Sequence, residues 1–229
     1  MSYRNTKRKK ERAIFTSQYN MNENLEKQID FIYTLEKMKS VYRRTRLLHA
    51  DRYENDAEHS FHIAAMAFLL KEYAPKDVNM ERVVFMLLFH DVVEIEAGDT
   101  FAYDAENNKT KREREVRAAD HLYGMLPEAQ GKELRALWEE FEAQETPESN
   151  FALAMDRIEP ILLNAAGGGG TWKSNQIRKE DVYERIEPVK KFPPLYAMIK
   201  EKVDAFFNRK VTHDENFTRR GRSVHSQVY

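Results

Sequence analysis

The segment Glu81–Glu94, ERVVFMLLFHDVVE, constrains the chain more than any other. Its apolar residues fall on nearly every face of a helix, which predicts a central element enclosed by neighbours. A chain built around such a helix must supply amphipathic partners to cover it. The segment also carries His90 and Asp91 at its apolar end. An ionised Asp91 there costs several kcal/mol unless a cation or a donor meets it.

The partners read as further helices. Leu25, Ile29, Ile32, Leu35 and Met38 recur at helical spacing, predicting an apolar stripe turned inward. Asn55 or Asp56 can cap a helix through AEHSFHIAAMAFLLKEY that stops before Pro75. A charged helix is expected over Lys109–Leu126, and another over Gly131–Ala143 with Leu134, Leu137, Trp138 and Phe141 inward. SNFALAMDRIEPILLNAA follows, then helices near 174–187 and 191–208. The connection RRTRLLHADRYEN has little period, and no segment alternates long enough to build a sheet. Gly98 opens a loop, and Gly167–Gly170 predict a flexible one, with Trp172 as a packed surface residue. The expected fold is all-α: one compact helical domain over 23–210, a polar arm over 1–22 and a polar tail over 211–229.

Composition narrows the function. The chain has 229 residues, 41 % apolar and 33 % charged, enough for one sizeable core. A formal net charge of -1 gives no reason to expect a nucleic acid polymer as partner, and the basic run Lys7–Lys10 is local. The absence of cysteine excludes disulfides, thiolate ligands and a cysteine nucleophile. The positive stretch near the start precedes no apolar run, and Val83–Phe89 is too short to span a bilayer. A cytoplasmic protein without a membrane partner is expected.

The chemistry concentrates around the central segment. Glu94 lies three residues beyond Asp91 and shares its helix face, and Asp99 follows a glycine in the next loop. His59 sits near the start of one apolar helix and Asp156 inside another. Three apolar helices thus each present imidazole or carboxylate groups. Such nitrogen and oxygen donors suit a divalent first-row metal: manganese, cobalt, iron, nickel or zinc.

Together the stretches RRTRLL, ENDAEHSFHIAAMA, LLFHDVVEIEAGD and ALAMDRIEPIL resemble the HD-domain phosphohydrolases, in particular the 5'-deoxynucleotidase branch. The likeness spans about residues 25–190. It implies an HD-domain helical bundle with one metal ion held by His59, His90, Asp91 and Asp156. It implies that Glu94 activates the attacking water, and that Asp99 protonates the leaving oxygen or contacts the sugar. Arg44 fits the basic residue that contacts phosphate, with Arg43 and Arg46 close enough to compete. Thr45 is placed beside the substrate. Implied too are a small phosphorylated substrate, a nucleoside 5'-monophosphate above all, and a homodimer. An HD-type hydrolase of a cyclic or polyphosphorylated nucleotide and a non-catalytic nucleotide sensor are the alternatives.

Other residues carry plainer expectations. His62 and His121 are assigned to packing or surface roles, which favours one metal, and Ser60 to a local helix hydroxyl. Among Lys111, Arg112, Arg114 and Arg117 the sequence does not select a phosphate ligand.

Overall fold

The computed structural model describes residues 22–208. The polar arm expected over 1–22, except for its last residue, and the tail expected over 211–229 lie outside them. Helix α1 covers 22–35 and passes into a 3₁₀ turn, Glu36–Ser40. An antiparallel ribbon follows, β1 (Tyr42–Arg46) paired with β2 (Tyr53–Asn55). Then come α2 (Asp56–Leu69), α3 (Met80–Phe89), a 3₁₀ turn (His90–Val93) and the short α4 (Glu94–Ala97). The rest is α5 (Ala105–Gly124), α6 (Glu128–Ala143), α7 (Pro147–Ala166), α8 (Gly170–Ser174), α9 (Lys179–Arg185) and α10 (Pro193–Phe207). The fold is a predominantly α-helical bundle.

The core lies where α2, α3, α7 and α10 meet. Ile63, Met86, Leu87, Phe151, Met155, Ile158 and Ile199 are almost wholly buried there. Each such side chain contributes roughly 1.5–3 kcal/mol relative to exposure. A second cluster joins Phe31, Met38, Val92, Val93, Leu122 and Trp138. It seats the His90–Val93 turn against α1, α5 and α6.

Local chemistry explains the ends that matter. Asn55 caps α2 by accepting from the Glu58 backbone N–H, while the Glu58 carboxylate accepts from the Asn55 backbone N–H. That fixes the first turn, one residue before His59. Thr146 and Ser149 form the matching reciprocal cap on α7, with Pro147 at its first position.

Four expectations need correction. The ordered connection expected over 43–55 contains a β-ribbon, Tyr42–Arg46 with Tyr53–Asn55, in which Arg43 and Thr45 turn one way while Tyr42, Arg44 and Arg46 turn out. The first part of the expected stripe turns outward: Leu25, Ile29 and Ile32 are exposed and Phe31 is buried in their place, whereas Leu35 is half-buried and Met38, in the 3₁₀ turn, is buried as expected. Phe31, Thr34 and Met38 form an equally helical face, and the larger ring wins it. Gly167–Gly169 make a turn, with Gly168 and Gly169 at positive φ, and Gly170 opens α8. Trp172, expected at the surface, is buried against Phe206 and Phe207.

Candidate metal centre and active site

Helix α3 does not continue straight through the His-Asp pair. Its last turn tightens to 3₁₀ at His90–Val93, so His90 and Asp91 both point inward. Opposite them α2 brings His59 and α7 brings Asp156. The His59 Nε2 atom lies 3.2 Å from Asp156 Oδ1 and 4.0 Å from Asp91 Oδ2. The His90 Nε2 atom lies 3.0 Å from Asp91 Oδ1 and 3.9 Å from Asp156 Oδ1. Donor atoms of His59, His90 and Asp91 all fall within 4.8 Å of one another. The four residues expected to hold a metal therefore converge.

The donor set fits a divalent cation. His90 Nδ1 is 3.0 Å from the Leu87 carbonyl, which only a protonated Nδ1 can satisfy. In the neutral ring that assignment leaves a lone pair on Nε2, a buried atom without a hydrogen-bond partner. Asp91 Oδ1 lies 3.0 Å away without forming a hydrogen bond to it. A cation between them satisfies both. Two imidazoles with two carboxylates are the ligand chemistry of first-row divalent ions.

Carboxylates also stand behind the ligands. His59 Nδ1 is 3.4 Å from both Glu54 Oε2 and Glu159 Oε2, and Glu159 Oε1 is 2.9 Å from His62 Nδ1. Burial and Arg43 pull the His59 pKa down, yet Asp156, Glu159 and Glu54 outweigh them and hold it well above its ordinary value. Burial pushes Asp156 up, but the His59 hydrogen bond and Arg157 keep it well below the usual carboxylate range. Asp91 is likewise held low against its burial, by His90 and Arg43. Glu159 is drawn down to about 2, because His59 and His62 overcome its burial.

Glu94 and Asp99 face the same cavity, which has a volume of about 300 Å³. Glu94 is 3 % exposed, so its Oε2 atom is cut off from water and finds no partner. Burial first, then repulsion from Asp91, pushes its carboxyl well above the usual range, while Arg43 opposes the rise. Asp99 is raised by burial as well, against the pull of Arg43. Its loop turns at Gly98, whose φ of 75° suits glycine best. Arg114 ties that loop down through the Ala97 carbonyl and Thr100 Oγ1.

The ribbon selects between the neighbouring arginines. Arg43 enters the cluster: Nη1 lies 2.6 Å from Asp91 Oδ2, 3.4 Å from Asp56 Oδ1 and 3.8 Å from Glu94 Oε2. Arg44, the residue expected at the phosphate, borders the cavity but is exposed, and its carbonyl accepts from the Thr171 hydroxyl. Strand alternation puts Arg43 and Thr45 on one face and Arg44 on the other. Thr45 is buried and lines the cavity. His59 is wholly buried and does not itself line the cavity. His62 pairs with Glu159, which stands behind His59, and His121 pairs with Glu96.

Several contributors were not singled out. Lys111 lines the cavity and pairs with buried Glu115 at 3.2 Å. Burial lowers its affinity for a proton, but Glu115, Glu94 and Asp91 more than restore it, so the ammonium stays charged. Arg112 also reaches the cavity, although Glu142 and the Trp138 ring hold it. Asp56 is fully buried in the cluster, and burial with the nearby Asp91 raises it to about 8. Glu159 had a signal, being a second carboxylate one turn after Asp156 in the same apolar helix. Glu54 and Asp56 had none, because acidic residues beside a helix cap are ordinary.

The comparisons agree with this geometry. The HD-domain family pattern matches residues 35–195, and the chain belongs to that family. It is 34 % identical over 122 residues to the human 5'-deoxynucleotidase HDDC2, covering 53 % of this chain and 56 % of that one. The fission yeast 5'-deoxynucleotidase hdd1 is 25 % identical over 138 residues, covering 58 % and 68 %. The chain thus spans only a little over half the length of the human relative. A crystal structure titled a predicted metal-dependent phosphohydrolase, from Magnetospirillum magnetotacticum, superposes with a TM-score of 0.77 at 45 % identity, covering 82 % of this chain and 94 % of the other. Among the described residues, no helix is long and apolar enough to cross a membrane.

Proposed function

We propose that the chain is a metal-dependent phosphomonoester hydrolase acting on nucleoside 5'-monophosphates, with deoxyribonucleotides favoured. The observation that carries this reading is the convergence of His59, His90, Asp91 and Asp156, with His90 Nε2 buried and without a hydrogen-bond partner inside a cluster of buried carboxylates. Such a cluster calls for a cation, and Glu94 and Asp99 beside it are poised for proton transfer. The named 5'-deoxynucleotidase relatives support the substrate class.

His59, His90, Asp91 and Asp156 would hold one divalent ion, from manganese, cobalt, iron, nickel or zinc. When bound, the ion supplies charge neutralisation at the phosphate and lowers the pKa of water. Arg43 takes the phosphate-orienting role that the sequence assigns to Arg44, since its guanidinium lies among the reacting groups and offers a donor fork. Lys111 adds positive charge on the opposite wall. Glu94 accepts a proton from the attacking water, and its raised pKa makes it a strong base once ionised. Asp99, also raised, can remain protonated long enough to donate to the departing 5'-oxygen. Thr45 and Arg44 border the substrate.

The homodimer belongs to the same proposal. Exposed Leu25, Ile29 and Ile32 on α1, with Phe61, Phe68 and Leu69 on α2, provide apolar surface for a second copy. Light scattering should give twice the chain mass, and a monomer would remove that part of the reading. For the activity, metal-stripped protein resupplied with each cation should release phosphate from deoxyribonucleoside monophosphates faster than from the ribo forms. Saturable nucleotide binding without release under every cation would replace the hydrolase with a sensor.

A further inference from the structure

Two cavities meet in front of the metal cluster. The inner one holds the site described above, and an outer groove of about 640 Å³ opens beyond it. Ala102, Tyr103, Asn108, Arg157 and Arg185 border both, so they form the neck between the two. Two of these five are arginines. Arg157 follows Asp156 on α7, with its side chain 18 % exposed. Among the described residues its one ion pair is the 3.4 Å contact from Nη1 to Asp156 Oδ2, and it makes no hydrogen bond. Arg185 is the last residue of α9 and is half-buried. Among the described residues it has neither an ion pair nor a hydrogen bond.

Most other arginines among the described residues are engaged, as Arg52 is with Glu58, Arg82 with Glu140, Arg135 with Asp120 and Arg178 with Asp181, while Arg44 and Arg117 are exposed to solvent. A guanidinium has five donors in a planar fork, and confining it without acceptors is unfavourable. Burial does pull Arg157 below its ordinary value, while Asp156 and Glu142 oppose the fall. The acidic residues of the outer groove, Asp181 and Glu184, do not border the inner cavity, and Asp181 is already bound to Arg178. The neck therefore presents positive charge with open donors to anything that fills the inner cavity.

We propose that Arg157 and Arg185 form an anion subsite that takes a second phosphate group, so that nucleotides bearing a phosphate beyond the released one bind best. This rests on the phosphohydrolase reading, because the first phosphate must lie at the metal cluster with Arg43. Arg157 stands beside Asp156, and Arg185 joins it at the same neck. The second phosphate can sit on the 3' oxygen or on the 5' chain, and the experiment separates these sources.

Calorimetry on metal-loaded Glu94→Gln protein measures binding without turnover. Deoxyadenosine 5'-monophosphate, the 3',5'-bisphosphate and the 5'-diphosphate are compared. At least one two-phosphate ligand should bind about tenfold tighter than the monophosphate, the gain expected of a charge-assisted bidentate contact. Which one gains identifies the source. Arg185→Gln and Arg157→Gln should each reduce that advantage toward unity, and circular dichroism confirms that both variants are folded. Equal affinity for all three ligands, or an advantage that survives both substitutions, would overturn the proposal. If wild-type protein releases no phosphate from any nucleotide while the advantage persists, the hydrolase reading fails and the subsite stands.

Discussion

Helices α5 and α7 both run 20 residues and both line the active cavity, yet they contribute to it in opposite styles. Helix α7 is embedded in the core, with Phe151, Met155, Ile158 and Ile161 buried. Each polar group it carries into that interior is an anomaly that needs a partner. Asp156 finds His59, and Glu159 finds His59 and His62. Helix α5 is mostly exposed and charged, and most of its charges pair within reach, as Lys109 does with Glu106. Lys111 differs from its neighbours only in direction: it leans into the cavity, anchored by buried Glu115. A functional carboxylate in an apolar helix announces itself, whereas a functional lysine among lysines does not.

That contrast can be broken by substitution, with the largest effects expected on α7. Asp156→Ala should abolish metal retention and lower kcat/KM at least about a thousandfold, since charge neutralisation by the ion is lost. Metal analysis of dialysed protein checks the first part and phosphate release the second. Glu94→Gln, at the start of α4, should lower kcat by about 10²- to 10⁴-fold while metal content stays near wild type. Glu159 stands behind His59, with Oε2 3.4 Å from its Nδ1, and Glu159→Gln removes that support. It should weaken metal affinity by about 10- to 100-fold through His59, with kcat largely restored at saturating metal. On α5, Lys111→Ala should cost about tenfold in kcat/KM, the size of one charge-assisted contact. Lys109→Ala on the same helix should change it by less than about twofold, as expected for a solvated pair. Equal losses at Lys109 and Lys111 would mean that α5 acts by general charge and not by direction.

The same contrast explains what could be read in advance. The convergence of His59, His90, Asp91 and Asp156, the proposed metal residues, was legible because they interrupt apolar helices at recognisable spacings. The all-helical body was legible for the same reason, since its period is strong. The β-ribbon was not. Only five and three residues long, its alternation mixes Arg43 and Thr45 inward with Tyr42, Arg44 and Arg46 outward, which gives no hydrophobic period. Without the strand the sequence could not separate Arg43, which turns into the carboxylate cluster, from Arg44, which turns outward, because a strand reverses its faces at every residue. The face of α1 was misjudged because two apolar stripes compete on it. The neck arginines were hidden too: Arg157 and Arg185 come from separate helices, and only the folded chain brings them to one opening.

The account stands on one cation held by four side chains from three elements. Titrating metal-stripped protein with manganese or cobalt, while recording phosphate release from a deoxyribonucleoside 5'-monophosphate, tests it most directly. Activity should rise from near zero and level at one equivalent of metal per chain. Undiminished release from fully stripped protein, or a plateau only at two equivalents, would contradict it.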